Sequence, residues 1–275
     1  MQNIFMIAFL DLKESFRSKW FLLYFLIFIS IISTFFATGV TNSRVMGFSG
    51  LSRLLLLFIQ ICIIILPIFV LISTVKTILK DRDLNILEYL LSFPISYEEY
   101  YYGKAFGRMV AVFLPVFLSV VITIIWEAIS GSSIPWDIFL LYTGIIFCMC
   151  FAFIGISFLI SSIAKTQEVG TAIAFFIWLL MLAFLDIILI GFLMKTRVNP
   201  DIIFTIALLN PIETFRIAAI SLFDPQLSVI GSTAYFILHN FGRFNFILFA
   251  HIYPIFIGLV SLLIGFYIFK NKDLA

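Results

Sequence analysis

Six apolar stretches, at residues 20–38, 54–75, 109–126, 138–164, 168–194 and 246–269, dominate this chain. Each is close to the ~20 residues that an α-helix needs to cross the hydrocarbon core of a bilayer. Backbone inside lipid must satisfy its own polar groups, so such stretches are expected as helices packed into a bundle. Composition agrees, with 63% of residues hydrophobic and 12% charged, against roughly 25% charged in a soluble domain. A water-soluble globule is excluded, and the expected fold class is an all-α membrane protein with six transmembrane helices in one domain, 1–275. The net charge of +2 is too small and scattered to suggest a nucleic-acid partner.

Orientation follows from the 17 Lys and Arg residues. If all six stretches cross, eleven of them fall on the side of the N-terminus and six on the other, and four of those six share one long segment at 195–246. The excess of basic residues marks the cytoplasmic side, so both termini are expected there. Residues 202–238 resemble a further span, but Pro211, Glu213, Arg216 and Asp224-Pro225 interrupt them, and a charge at a helix centre costs about 2.5–3.5 kcal/mol. Asn199-Pro200 and Asn210-Pro211 each offer a helix cap followed by proline at the first helical position, with Glu213 at the third. The segment is therefore read as short helices at the outer surface, followed by an apolar stretch, Val229 to Leu238, too short to span. Its apolar composition demands burial, which makes 195–246 a candidate docking surface for a periplasmic partner, with Asn210, Pro211, Glu213 and Arg216 as contacts. Glu213 and Arg216 are one turn apart and can pair with each other or with that partner.

At the other face of the membrane, residues 1–19 carry Ile4, Ala8, Leu12 and Phe16 at helical spacing, while Asp11, Glu14, Ser15 and Ser18 share another side. This predicts an amphipathic helix lying in the interface and turning into the first span near Trp20. Its mixed charge, with no Ala-x-Ala site after it, argues against a cleaved signal peptide. Between the second and third spans, the 76–108 loop places Asp81, Asn85, Glu88 and Ser92 on a polar stripe, with Leu84, Leu87, Leu90 and Leu91 around it. A short amphipathic helix over 81–93 is expected, ended by Pro94. Ser96-x-x-Glu99 then forms a capping box that starts the next helix.

The run Leu87-Glu88-x-Leu90-Leu91-Ser92-x-Pro94-Ile95-Ser96, followed by Glu99 and Gly103-Lys104, resembles the coupling-helix loop of ABC permeases of the type-two exporter class. Asn85-Ile86 stands where such loops often carry Gly-Thr, and Tyr97 where they often carry arginine. The resemblance implies an amphipathic elbow helix, a bacterial inner-membrane location and a separate cytoplasmic ATPase touching Asp81, Asp83, Leu84, Leu87, Glu88 and Leu91. Leu209 to Arg216 and the closing Lys272-Asp273-Leu274 are similar to NosY-type permeases, the membrane subunits of nitrous oxide reductase maturation. That similarity implies a homodimer, a periplasmic β-helical partner and a role in assembling a copper-sulfur centre. A drug or lipid exporter permease of the same class is the alternative, and an ion-coupled secondary transporter is the more distant one, since no internal repeat is visible.

The chain carries no Gly-x-x-x-x-Gly-Lys-Ser/Thr phosphate loop, so hydrolysis is expected from another chain. Cys148 and Cys150 project about 200° apart on a helix and are read, with Cys62, as packing residues rather than a copper site. His239 and His251 lack metal-ligand spacing, and Asp81-x-Asp83 lacks a second acidic or histidine cluster beside it. No cofactor is expected. Asp186 and, more weakly, Gln60 are intramembrane polar residues, which are costly in lipid and usually face a partner or cavity. For Asp186, Arg53 or Arg243 is the expected partner. Pro67, Pro115 and Pro254 mark expected kinks.

Overall fold

The computed structural model describes residues 2–37, 51–129, 136–184, 187, 191, 200–223 and 239–271. Among them every regular element is helical: α1 (Gln2–Arg17), α2 (Lys19–Ala37), α3 (Leu51–Asp83), α4 (Ile86–Leu91), α5 (Tyr97–Ile129), α6 (Trp136–Ile163), α7 (Gln167–Leu179), α8 (Pro200–Leu208), α9 (Pro211–Phe223) and α10 (Arg243–Asn271). The α7 helix passes directly into a π-helical turn, Leu180–Phe184.

Four helices, α3, α5, α6 and α10, are long and apolar enough to cross a membrane, and α8 with α9, bent by 93°, makes a fifth if the pair is one broken span. The first and fifth expected spans are apolar but shorter here, at Phe21–Ile31 and Gln167–Ala183. Among the described residues the candidates are thus four of the six expected spans and, as a fifth if it crosses, the α8–α9 pair that was not expected to cross. The fifth stretch loses its α-helical register at the π turn, and most of its remainder, with Asp186, lies outside the described residues. The long helices run through Pro67, Pro115 and Pro254 without ending.

Packing is densest where α10 lies along α6. A Cβ on Gly155 would stand 2.3 Å from the Gly258 carbonyl oxygen, so two glycines let the backbones of α6 and α10 touch, the small-residue contact by which membrane helices gain dispersion energy. The opposite face of α10 leaves Phe244, Leu248, Ile252, Phe256 and Tyr267 exposed, an apolar surface suited to lipid.

Contacts among helix ends gather both ends of the chain at one end of the bundle. Tyr97 and Tyr100 of α5 meet Phe269 of α10 at ring distances of 6.1 and 5.9 Å. Glu14 of α1 pairs with Lys80 of α3, and Gln167 of α7 donates to Asp83 at 2.7 Å.

Packing qualifies two of the expected surfaces. Helix α9, expected at the outer surface of the membrane, packs against α3, α6 and α10, with Ile212, Phe215, Ile217, Ala218, Ala219 and Leu222 buried. A helix apolar on nearly every side must be covered, and the sharp bend at Leu209-Asn210 turns it inward. Val229 to Leu238 lie outside the described residues. In α1, the face bearing Asp11 and Ser15 is buried against α5, while Phe5, Met6, Phe9 and Leu10 are exposed. Ile7 and Ala8 are buried on that same face, while Lys13, Glu14 and Arg17 are exposed, so Asp11 is inside because α5 supplies its cations and not because the helix divides by polarity.

Candidate functional site

The junction between α3 and α5 is built by three local signals. Asn85 takes φ 55° and ψ 19°, the left-handed region that asparagine tolerates better than most residues. That one residue resets the helical phase, so the expected 81–93 helix is divided. Asp81 and Asp83 end α3, Leu84 sits in the turn, and Glu88 and Leu91 belong to α4. The predicted stripe of Asp81, Asn85, Glu88 and Ser92 therefore does not exist. Asp81 points into the protein at 2% exposure, whereas Glu88 is exposed. Leu87, at 1% exposure, pins α4 to the bundle and leaves Leu84, Tyr89 and Phe93 outward beside Glu88.

Helix α5 begins with the capping box that the sequence predicts. The Ser96 N–H donates to Glu99 Oε2 and the Glu99 N–H to Ser96 Oγ, both at 3.1 Å. Asn3 of α1 donates to Glu99 at 3.1 Å and to the Pro94 carbonyl at 3.2 Å, so the first helix is tied to the loop as well.

Behind this loop lies a buried charge cluster. Gly103 and Gly107 let α1 settle on α5: a Cβ on either would stand 2.9 Å from the Ile4 carbonyl oxygen or 2.7 Å from that of Ala8. The side chains next to these glycines then reach α1 and α3. Lys104 Nζ lies 2.6 Å from Asp81 Oδ2 and 3.4 Å from Asp11 Oδ1, and Arg108 Nε lies 3.2 Å from Asp11 Oδ2. Tyr100 donates its hydroxyl to Asp81 at 2.7 Å, and Lys104 sits 5.8 Å from the centre of the same ring. Two carboxylates and two cations balance, which is the condition under which buried charge is tolerated. At the rim, burial raises the Glu14 carboxyl, but the Lys80 hydrogen bond and the charges of Lys104, Lys80 and Arg108 together hold it below the usual carboxylate range.

Sequence reasoning missed this constellation. It put Asp11 on the polar side of an interfacial helix, without a partner in view, and used Gly103-Lys104 only as a class motif. The available signal was periodic: Gly103-Lys104 and Gly107-Arg108 repeat at four residues, placing a small residue beside a cation twice on one helix face.

The other candidate residues are scattered. Gln60 is exposed on α3, and Asp186 with the Arg53 side chain lies outside the described residues. Arg243 donates to the Leu222 carbonyl at 3.4 Å, and its expected pairing with Asp186 falls outside the described residues. Cys62, Cys148 and Cys150 are buried free thiols. His251 Nδ1 donates to the Ile247 carbonyl at 2.8 Å, one turn back on α10, while its Nε2 lies against Gly144. No group of three or more His, Cys, Asp or Glu side chains fit to hold a metal occurs among the described residues. Asn210 caps α9 by accepting the Ile212 N–H at 3.0 Å. Its amide donates at 2.5 Å to the Met181 carbonyl, inside the π turn where α-helical bonding is disturbed. Arg216 donates to Glu213 at 2.5 Å within α9.

That last pair makes a direct test. Glu213→Arg and Arg216→Glu should each lower thermal stability of the detergent-solubilised protein. The double reversal should recover most of the loss, falling short by about 0.3–1 kcal/mol because the acid leaves the favourable N-terminal turn. No recovery in the double variant would mean that the two do not act as a pair.

Known proteins place this architecture. The family described as ABC-2 family transporter protein matches residues 5–274, which takes in α1, the α3–α5 junction and α10. A relative named "Probable ABC transporter permease protein NosY", from Stutzerimonas stutzeri, is 20% identical over 240 residues, covering 84% of this chain and 86% of that protein. With a multi-helix apolar bundle and a family match across nearly its whole length, this chain belongs to the ABC-2 transporter family, as a membrane subunit of an ABC transporter.

Proposed function

We propose that α4 is the coupling helix through which a separate cytoplasmic ATPase drives this permease, with α1 as the elbow helix and both termini in the cytoplasm of a bacterial inner membrane. The observation that carries the reading is the mounting of α4. Its Glu88 and Tyr89 face out, Leu87 anchors it, and the α3 and α5 ends that flank it are joined through Asp81, Lys104 and Tyr100. A push on α4 therefore loads α3, α5 and α1 as one body rather than bending a loop.

Similarity to NosY-type permeases extends the proposal. The chain works as a homodimer and acts with a periplasmic β-helical partner in maturation of the copper-sulfur centre of nitrous oxide reductase, either by exporting a sulfur species or by mechanical work on that partner. Segment 195–246 supplies the outer contact. Asn210, Pro211 and Glu213 set the α8–α9 bend from within, while Arg216 and the exposed Ile202, Ile206 and Leu209 face outward.

A photo-crosslinking residue at Glu88, in membranes containing the co-expressed ATPase, should capture the ATPase. Glu88→Lys should insert and fold normally yet weaken permease-stimulated hydrolysis by about tenfold or more, since reversing a charge at a contact costs several kcal/mol. Capture of lipid alone, with hydrolysis unchanged in Glu88→Lys, would remove α4 from the coupling role.

A further inference from the structure

Beside the charge cluster, a cavity of about 450 Å³ opens between the α1–α2 bend, α3 and α5, a size within the ~300–1,000 Å³ usual for small-molecule sites. One stripe of α3 forms its long wall and changes character along its length. Ile65, Ile68, Phe69 and Ile72 come first, the hydroxyls of Ser73 and Thr77 follow, and Lys76 and Lys80 close the stripe. Phe21 and Ile27 of α2 extend the apolar end, and Tyr24 stacks on Phe69 at a ring distance of 3.6 Å, which holds that end in shape. The bend at Ser18 keeps the cavity from closing. Ser18 accepts the Phe21 N–H at 3.1 Å while donating to the Ser15 carbonyl at 2.8 Å, so α2 departs at an angle and leaves space against α3.

The charges around the polar end are spent on one another. Lys80 pairs with Glu14, Lys104 and Arg108 with Asp11 and Asp81, and Lys76 acts on Glu168. Four cations thus meet four carboxylates, and an ionic ligand would have to displace a partner already in place. The hydroxyls on the α3 wall differ. Ser73 donates to the Val70 carbonyl at 3.4 Å and Thr77 to the Ser73 carbonyl at 3.3 Å, so each proton is used within α3 and the oxygen lone pairs remain. At the step between hydrocarbon and charge, the wall therefore suits a neutral group that donates.

We infer that this cavity binds an uncharged lipid with a free hydroxyl, the chemistry of a monoacylglycerol, its hydroxyl donating to Ser73 or Thr77 and its acyl chain running along Ile72, Phe69 and Ile65. Burial of the chain supplies the affinity, and the hydroxyl sets the position of the head along α3. A methyl ether in its place sets lone pair against lone pair and leaves the Thr77 oxygen unmatched. A phosphate or an ammonium head meets ion pairs that are already complete. The site rests on the cavity and its lining, and stands whether or not α4 contacts an ATPase.

Photolabelling of the full-length protein in phosphatidylcholine nanodiscs, with a monoacylglycerol that carries a diazirine in its chain, tests the inference. Label should concentrate on peptides containing residues 21–27 and 65–72. Unlabelled monoacylglycerol should compete, its dimethyl ether about fivefold less well, the worth of one hydrogen bond. The phosphate ester and the amine on the same chain should compete on the order of tenfold less well or worse. Ser73→Ala with Thr77→Val, which removes both hydroxyls at little change of shape, should erase the preference for the alcohol over its ether, and Ser73→Leu, which fills the cavity, should abolish specific labelling. Thr34→Val removes another hydroxyl that bonds back within its own helix, outside the cavity, and should change nothing. Equal competition by the ether or by either charged analogue, a preference that survives in the double variant, or label spread evenly over the lipid-facing side of α10 would each overturn the assignment.

Discussion

Lys104→Met is expected to collapse the yield of folded protein. The substitution leaves Asp81 and Asp11 buried with Arg108 as the remaining cation, and removing one member of a buried ion pair costs about 3–5 kcal/mol. Against a total stability of roughly 5–15 kcal/mol, that loss separates a folded population from a largely unfolded one. Monodisperse yield in mild detergent and the unfolding midpoint measure it. Lys104→Met combined with Asp81→Asn restores charge balance and should recover at least half of the lost stability. Wild-type stability in the single variant would mean that the cluster is not structural. The double variant also separates roles: if it folds but no longer stimulates its ATPase partner, the ion pairs transmit movement as well as hold the fold.

Gly155→Leu should have an effect of similar size for an unrelated reason. The new Cβ alone would lie 2.3 Å from the Gly258 carbonyl oxygen and 2.7 Å from its Cα, both backbone atoms that cannot rotate away. Helices α6 and α10 would have to separate along their shared length. Gly155→Ala should cost about 1–3 kcal/mol as an overpacked contact, and Gly155→Leu more. Gly191→Ala serves as the control, since nothing lies within 4 Å of a Cβ there. Protease resistance in bilayer nanodiscs would rank the three. A leucine variant as resistant as the control would mean that α6 and α10 do not meet at Gly155.

The capping of α5 was legible because both of its partners lie within four residues. Ser96 and Glu99 satisfy each other's backbone donors regardless of what packs nearby, and the structure shows the two bonds that the pattern predicts. The cap at Asn210 was legible for the same reason. The division of the 81–93 stretch was not. Nothing in the local pattern distinguishes an asparagine continuing a helix from one in the left-handed region, and Asn85 decides whether Asp81 and Glu88 share a face.

Hydropathy by itself determined that this chain is a membrane bundle of helices, since stretches near 20 apolar residues have few other stable states in water or lipid. Capping chemistry likewise determined where α5 and α9 begin. Only the tertiary structure decided which polar residues are inside. Asp11 sits on the polar side of its own helix and is buried because Gly103 and Gly107, some 90 residues later, bring α5 within reach. Asn210 looks free to bind a partner and is instead held by a carbonyl in the π turn. Both outcomes depend on pairing between distant segments, and a charge is tolerated inside a protein only when the folded chain delivers its counter-charge.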